Sequence, residues 1–143
     1  MEDCIFCKII NGEVEHNKIY EDEHSFAFLD RTAINKGHTL VVPKTHVSTL
    51  LKLNDKERDA IFKTAQKIAG SFKEAVGTDN FNISMNNGKF AGQVVFHAHV
   101  HVIPRFENDG YDHWEGKDCS PIESKNIAKK IRDTLARLRN SAW

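Results

Sequence analysis

A chain of 143 residues is long enough for one domain with an adequate core, and 20 basic residues against 20 acidic ones remove any global pull toward nucleic acid or an acidic membrane. The hydrophobic share of 40% is ordinary for a soluble globular protein, and no apolar run approaches the length of a membrane span. Three cysteines, two of them in a CxxC, argue against a secreted disulfide framework, and Met1-Glu2-Asp3-Cys4 shows no basic stretch leading into an apolar one, so the expectation is a cytoplasmic protein without a signal peptide.

Cys4-Ile5-Phe6-Cys7-Lys8-Ile9-Ile10 reads as one or two helical turns between Asp3, a possible N-cap, and Asn11-Gly12. Its CxxC is ambiguous by itself between a redox pair, half of a zinc site and coincidence. Ile19-Tyr20 and Ser25-Phe26-Ala27-Phe28-Leu29 read as two strands around the charged turn Glu21-Asp22-Glu23, and Asp30 follows directly. The loop from Arg31 to Gly37 leads to a third strand, Thr39 to Pro43, flanked by His38 and His46. Asn54 with Glu57 three residues later gives a capping-box start. Ile61, Phe62, Ala65, Ile68, Ala69, Phe72 and Val76 then recur at helical spacing, and Gly77 suits the end of this long central helix.

Phe81 to Asn86 alternates as a fourth strand, with Asn82, Ser84 and Asn86 on its polar face. The loop Asn87 to Gln93 has two glycines that permit close backbone approach to a ligand, but it lacks the GK[ST] ending of a Walker loop. Phe96-His97-Ala98-His99-Val100-His101-Val102-Ile103-Pro104 then alternates with period two. It predicts a strand from about Val94 to Ile103, with Phe96, Ala98, Val100 and Val102 facing a core and His97, His99 and His101 in a row on the other face. Pro104 brings no N–H to the ladder and ends it. Such a row of imidazoles suits either a phosphate, attacked by one ring and hydrogen-bonded by others, or a three-histidine metal site. Phe106 to Cys119 is polar and aperiodic and reads as a loop or flap. Ser120-Pro121-Ile122-Glu123 then opens a C-terminal helix with Ile127, Ile131, Leu135 and Leu138 on one face and Arg132, Arg137 and Arg139 toward its end.

With these residues assembled, the sequence resembles a histidine triad (HIT) protein of the Hint-like bacterial branch. The resemblance rests on His97-Ala98-His99-Val100-His101-Val102-Ile103, on Cys4 to Ile10, Ala27-Phe28-Leu29-Asp30, Gly37-His38-Thr39-Leu40-Val41-Val42-Pro43-Lys44-Thr45-His46, Asn86 and Gly92-Gln93. It implies a single α+β domain over residues 1–143: a five-stranded antiparallel sheet, a long central helix and a C-terminal helix, with 106–143 forming flap and helix. It also implies a homodimer with one continuous sheet, and purine nucleotides carrying a group on the α-phosphate as substrates. His99 matches the family nucleophile, and His101 and His38 match the residues that support it and the phosphate. Asp30 matches the ribose-hydroxyl acceptor; Phe6, Ile9 and Phe28 match the slot for the base; Asn86, Gln93 and the backbone at Val94 match phosphate contacts. Many relatives have Ser or Thr where this chain has Val94, which removes a hydroxyl from that place. Zinc-bearing members use a CxxC with two histidines, which match Cys4, Cys7, His46 and His97 and make the zinc structural. Cys119 has no part in this scheme.

The expected function is hydrolysis at the α-phosphate of purine nucleoside phosphoramidates or related conjugates through a nucleotidyl-histidine. A dinucleoside-polyphosphate hydrolase and a nucleotide-binding interaction module with little turnover are the alternatives. The transferase branch usually has glutamine at the third motif position, so His101 counts against it. Neither a nucleic acid nor a membrane partner is expected.

Overall fold

The computed structural model describes residues 3–138, which fall into two compact units divided between Asp109 and Gly110. In the first unit, β1 (Lys18–Glu21), β2 (Ser25–Leu29), β3 (Thr39–Pro43), β4 (Phe81–Ser84) and β5 (Val100–Pro104) make one antiparallel sheet in the order β1-β2-β3-β5-β4. The α+β architecture matches the expectation. Helix α1 (Ile5–Ile10) and helix α2 (Asp55–Val76) cover opposite faces of the sheet, and the side-chain alternation of the strands dictates which residues meet which helix. Ala27, Val41, Val100 and Val102 pack on Ile61, Ala65, Ile68, Ala69 and Phe72 of α2. Phe26, Phe28, Leu40 and Val42 point the other way, onto Phe6 and Ile9 of α1. Fully burying each Val, Leu, Ile or Phe among them contributes about 1.5–3 kcal/mol.

Asn54 caps α2 as the sequence predicts: its side chain accepts from the Glu57 N–H while the Glu57 carboxylate accepts from the Asn54 N–H, an arrangement worth about 1 kcal/mol. Gly77 ends the helix in the left-handed conformation at φ 88°. At the α2–β2 contact the buried Ser25 and Thr64 hydroxyls satisfy each other at 2.9 Å. Helix α1 departs from expectation at its start, where Cys4 rather than Asp3 is the N-cap and no side chain caps the helix.

The larger departure is the histidine strand, which begins at Val100 rather than near Val94. The β3–β5 register sets Val41 beside Val100 and so would bring Pro43 opposite Ala98. Pro43 has no N–H to give, and its carbonyl accepts from the His97 ring at 2.9 Å. The chain leaves the ladder there, and the Ala98 N–H turns to the Val47 carbonyl at 2.6 Å instead. Phe96, expected in the core, is therefore half exposed, whereas Ala98, Val100 and Val102 are fully buried as expected. β4 likewise stops at Ser84, short of Asn86.

The second unit contains α3 (Pro121–Leu138), whose N-terminus is capped by Ser120, the hydroxyl accepting from the Glu123 N–H at 3.2 Å. Arg139 lies outside the described residues. Among the described residues no helix is long and apolar enough to cross a membrane.

Candidate functional site: a cysteine–histidine cluster beside a row of imidazoles

Cys4 and Cys7 lie at either end of the first turn of α1, His46 follows β3, and His97 sits just ahead of β5. The fold brings all four together with their ligand atoms within 4.8 Å of one another. The Cys4 Sγ–His97 Nδ1, Cys7 Sγ–His97 Nδ1 and Cys7 Sγ–His46 Nδ1 separations are 3.5, 3.6 and 3.4 Å. A tetrahedral zinc with sulfur at about 2.3 Å and imidazole nitrogen at about 2.0–2.1 Å sets sulfur–nitrogen edges of about 3.6 Å. The donor set therefore fits zinc in spacing as well as in chemistry. His97 is prepared as a ligand: its Nε2–H is held by the Pro43 carbonyl, which leaves the Nδ1 lone pair facing the sulfurs. Burial keeps that ring neutral by lowering its pKa. Burial and then the neighbouring Cys4 thiol push Cys7 up, so two thiolates here call for a cation between them.

His97 is thereby turned out of the row. The remaining rings, His99 and His101, stand 4.9 Å apart between centroids, and His38 from the start of β3 packs on His101 at 5.2 Å. The hydrogen bonds among them assign every ring proton. The His99 Nδ1–H donates to the His97 carbonyl at 2.7 Å, which leaves a lone pair on Nε2. His38 accepts the Ile34 N–H on Nδ1 at 3.1 Å, so its proton is on Nε2. That Nε2–H donates to His101 Nδ1 at 3.0 Å. His101 must then carry its own proton on Nε2, and this buried atom has no partner among the described residues. A neutral lone pair and an unpartnered N–H thus stand side by side. Burial chiefly pulls down the pKa of all three rings, and for His101, also beside His99 and His38, to about 4.

Phe6 is buried and sets its ring edge-on to both Phe28, at 5.5 Å, and His99, at 5.2 Å, while Ile9 lies in the same apolar cluster. Asp30 holds the Thr32 N–H with one oxygen and has the other 3.6 Å from His38 Nε2. The Asn86 side chain reaches the Gly92 carbonyl at 3.3 Å, closing the loop between β4 and β5, and Val94 is exposed on that loop. Gln93 is buried, and its amide is fully engaged: Oε1 accepts from the Gly88 N–H, and Nε2 donates to the Ser48 and Val95 carbonyls. Its side chain braces the loops that carry His46 and His97. Sequence reasoning missed the groups that fix the ring protons, the Ile34 N–H and the carbonyls of Pro43 and His97. Being backbone, they leave no mark in residue type.

A family model described as the HIT domain matches residues 11–108. The chain is 42% identical over 139 residues to "Protein hit" of Bacillus subtilis, covering 94% of this chain and 96% of that one. It is 37% identical over 135 residues to the adenosine 5′-monophosphoramidase hnt1 of Schizosaccharomyces pombe, covering 92% and 98%. Among solved structures, a Zn-bound histidine triad family protein from Mycobacterium smegmatis superposes with a TM-score of 0.74 at 34% identity, covering 99% of both chains. With its CxxC, its five-stranded sheet and a matched span that takes in all three histidines, the chain belongs to the HIT family.

Proposed function

We propose that the protein is a nucleotide-binding hydrolase that cleaves conjugates at the α-phosphate, with purine nucleoside phosphoramidates as the substrate class. The observation that carries this reading is the pairing of the His99 Nε2 lone pair with the unpartnered His101 Nε2–H. His99 Nε2 attacks the α-phosphorus; a P–N bond to the ring forms as the bond to the leaving amine breaks, and the amine takes a proton from solvent. The ring then carries positive charge, which its Nδ1–H shares with the His97 carbonyl. The His101 Nε2–H holds a phosphate oxygen through the displacement, where a preorganised donor in a dry site is worth most. Water attacks phosphorus in the second step, the P–N bond to the ring breaks with its electron pair returning to Nε2, the water gives a proton back to solvent, and the nucleotide leaves as a monophosphate. Splitting one displacement into two is what a covalent nucleophile contributes. Phe6, Ile9 and Phe28 wall the base slot, Asp30 takes the ribose hydroxyls, and Asn86, Gln93 and the backbone at Val94 shape the phosphate loop. Cys4, Cys7, His46 and His97 would hold a structural zinc, which ties α1 to the sheet. Quenched-reaction mass spectrometry with adenosine phosphoramidate tests the proposal: a nucleotidyl adduct on His99 is expected, and an adduct on His101 or on no histidine would overturn it.

Neutral rings give the reaction its pH dependence. Burial lowers the pKa of the His99 ring and holds His101 neutral down to about pH 4, against about 6.5 for a free imidazole, so the acid limb of kcat/KM should lie below pH 6.5. Stability has the same sign. The unfolded chain binds the extra proton first, so the benefit of the neutral ring is whole above pH 6.5 and is lost as pH falls toward 4. A kcat/KM profile breaking near pH 6.5 would count against buried neutral imidazoles.

We also read the functional unit as a homodimer. β4 is an edge of the sheet and exposes Phe81 and Ile83, each more than 40% accessible, an apolar edge of the kind that a second strand covers. Sedimentation at micromolar concentration should give the mass of two chains, and Ile83→Lys should shift it toward one.

A further inference from the structure

We propose that Asn35 and Asp109 are positioning residues that act through His38 to keep the His101 proton on Nε2. The loop between β2 and β3 has no regular structure, yet it carries Asp30, the Ile34 N–H that sets the His38 tautomer, and His38 itself. Asn35 is what holds it. The Asn35 carbonyl accepts the His38 N–H at 3.0 Å, and its side-chain amide donates to the Pro104 carbonyl at 2.9 Å and to Asp109 Oδ2 at 2.8 Å. Asp109 is buried, with 6% of its side chain accessible, and Arg105 grips it in a fork, Nε to Oδ2 at 2.6 Å and Nη2 to Oδ1 at 2.9 Å. The Phe106 N–H adds a fourth donor to the carboxylate, and Arg105 Nη1 reaches Asn82 on β4 at 2.7 Å. The network therefore clamps the β2–β3 loop to the ends of β4 and β5, the strand that carries His101.

The consequence for chemistry runs through one proton. If the loop shifts and the Ile34 N–H leaves His38 Nδ1, the proton of His38 is free to occupy Nδ1. Its Nε2 then faces His101 Nδ1 as a lone pair. His101 must move its own proton to Nδ1 to answer it, and the donor at Nε2 is lost. Asn35 and Asp109 touch no reacting atom on this account; they preserve a tautomer.

The kinetic arm of the test rests on the hydrolase reading above, and the spectroscopic arm does not. Imidazole ¹⁵N spectra of the full chain, with kcat and KM for adenosine phosphoramidate, would be compared for N35D, D109N, N35D/D109N and the exposed neighbour E107Q. N35D sets two carboxylates against each other, so His38 and His101 should lose their wild-type nitrogen shifts and kcat should fall about tenfold or more with KM little changed. The double variant reverses donor and acceptor across the same link, so it should restore the shifts in part and recover about threefold or more in kcat. E107Q should match wild type. Folded N35D and D109N with wild-type shifts overturn the proposal, as does a loss of kcat with the shifts unmoved. Should N35D fail to fold, N35A, which removes the side-chain donor without adding charge, carries the same comparison. A wild-type protein without turnover would sink the hydrolase reading, while the spectra would still decide the network.

Discussion

His99→Ala should lower kcat by about 10⁴-fold or more while nucleotide affinity stays within about threefold, because on the proposed mechanism the change removes the attacking atom and little of the binding surface. Phe28 and Asp30, the proposed base and ribose contacts, remain in place, and neither depends on the His99 ring for its own position: Phe28 is packed by Phe6 and Phe26, and Asp30 is held by the Thr32 N–H. The cost in stability is a separate matter. His99 is 6% exposed and meets the edge of Phe6, so truncation leaves a cavity worth on the order of 2–3 kcal/mol. The variant is therefore to be assayed well below its own Tm. His101→Ala takes away a hydrogen-bond donor rather than the nucleophile, and should cost about 10²–10³-fold in kcat. Single-turnover kinetics and calorimetric titration with a non-hydrolysed nucleotide measure the two quantities independently. A His99→Ala enzyme within tenfold of wild-type kcat would remove the covalent mechanism and favour a binding module.

How far the sequence disclosed this site depended on which atoms do the work. Ser25 to Leu29 and Thr39 to Pro43 were legible to the residue, since alternation and the flanking turns leave little choice. Asn54, Glu57 and Gly77 marked both ends of α2 for the same kind of reason, a side chain or a missing one meeting a backbone need. The histidine run was legible in type and misjudged in length. Its period continues through Phe96 and His97, but pairing is decided by the neighbouring strand, and Pro43 ends it. The metal donors were reached by resemblance; nothing in the spacing from Cys7 to His46 or to His97 requires them to meet. The ring tautomers were out of reach, being set by the Ile34 N–H and the carbonyls of His97 and Pro43. Asn35 and Asp109 read as ordinary loop polars until the fold brought them to Arg105.

Two functions converge on α1. A six-residue helix has no stability of its own, and this one has no side-chain cap. It is held by Phe6 and Ile9 in the apolar cluster, with Cys4 and Cys7 placed at the candidate metal site, and the same Phe6 that anchors it also packs against His99. On the proposed scheme the His97 ring would ligate the zinc while its carbonyl accepts the His99 Nδ1–H, so a single residue would carry metal order into the orientation of the proposed nucleophile.

Removing the zinc donors should therefore damage stability first and catalysis second. Metal analysis of the purified protein is expected to give one zinc per chain. Cys4→Ser should lower Tm by about 10 °C or more, since binding energy of a structural site is folding energy and each kcal/mol moves Tm by a few degrees at this size. The domain keeps an independent core between the sheet and α2, so the variant should stay folded at low temperature, unlike a zinc finger. Without the metal, the ends of α1 lose their tie and Phe6 loosens against His99. Turnover should then fall by a smaller factor than in His99→Ala, about tenfold, with added zinc restoring the wild type after chelation but not Cys4→Ser. His46→Ala should reproduce the loss of Tm, because it deletes a donor on a different element without touching α1 itself. A folded, fully active protein that contains no zinc, or a Cys4→Ser variant with unchanged Tm, would remove the structural-metal account and leave the four residues as a partly buried polar cluster.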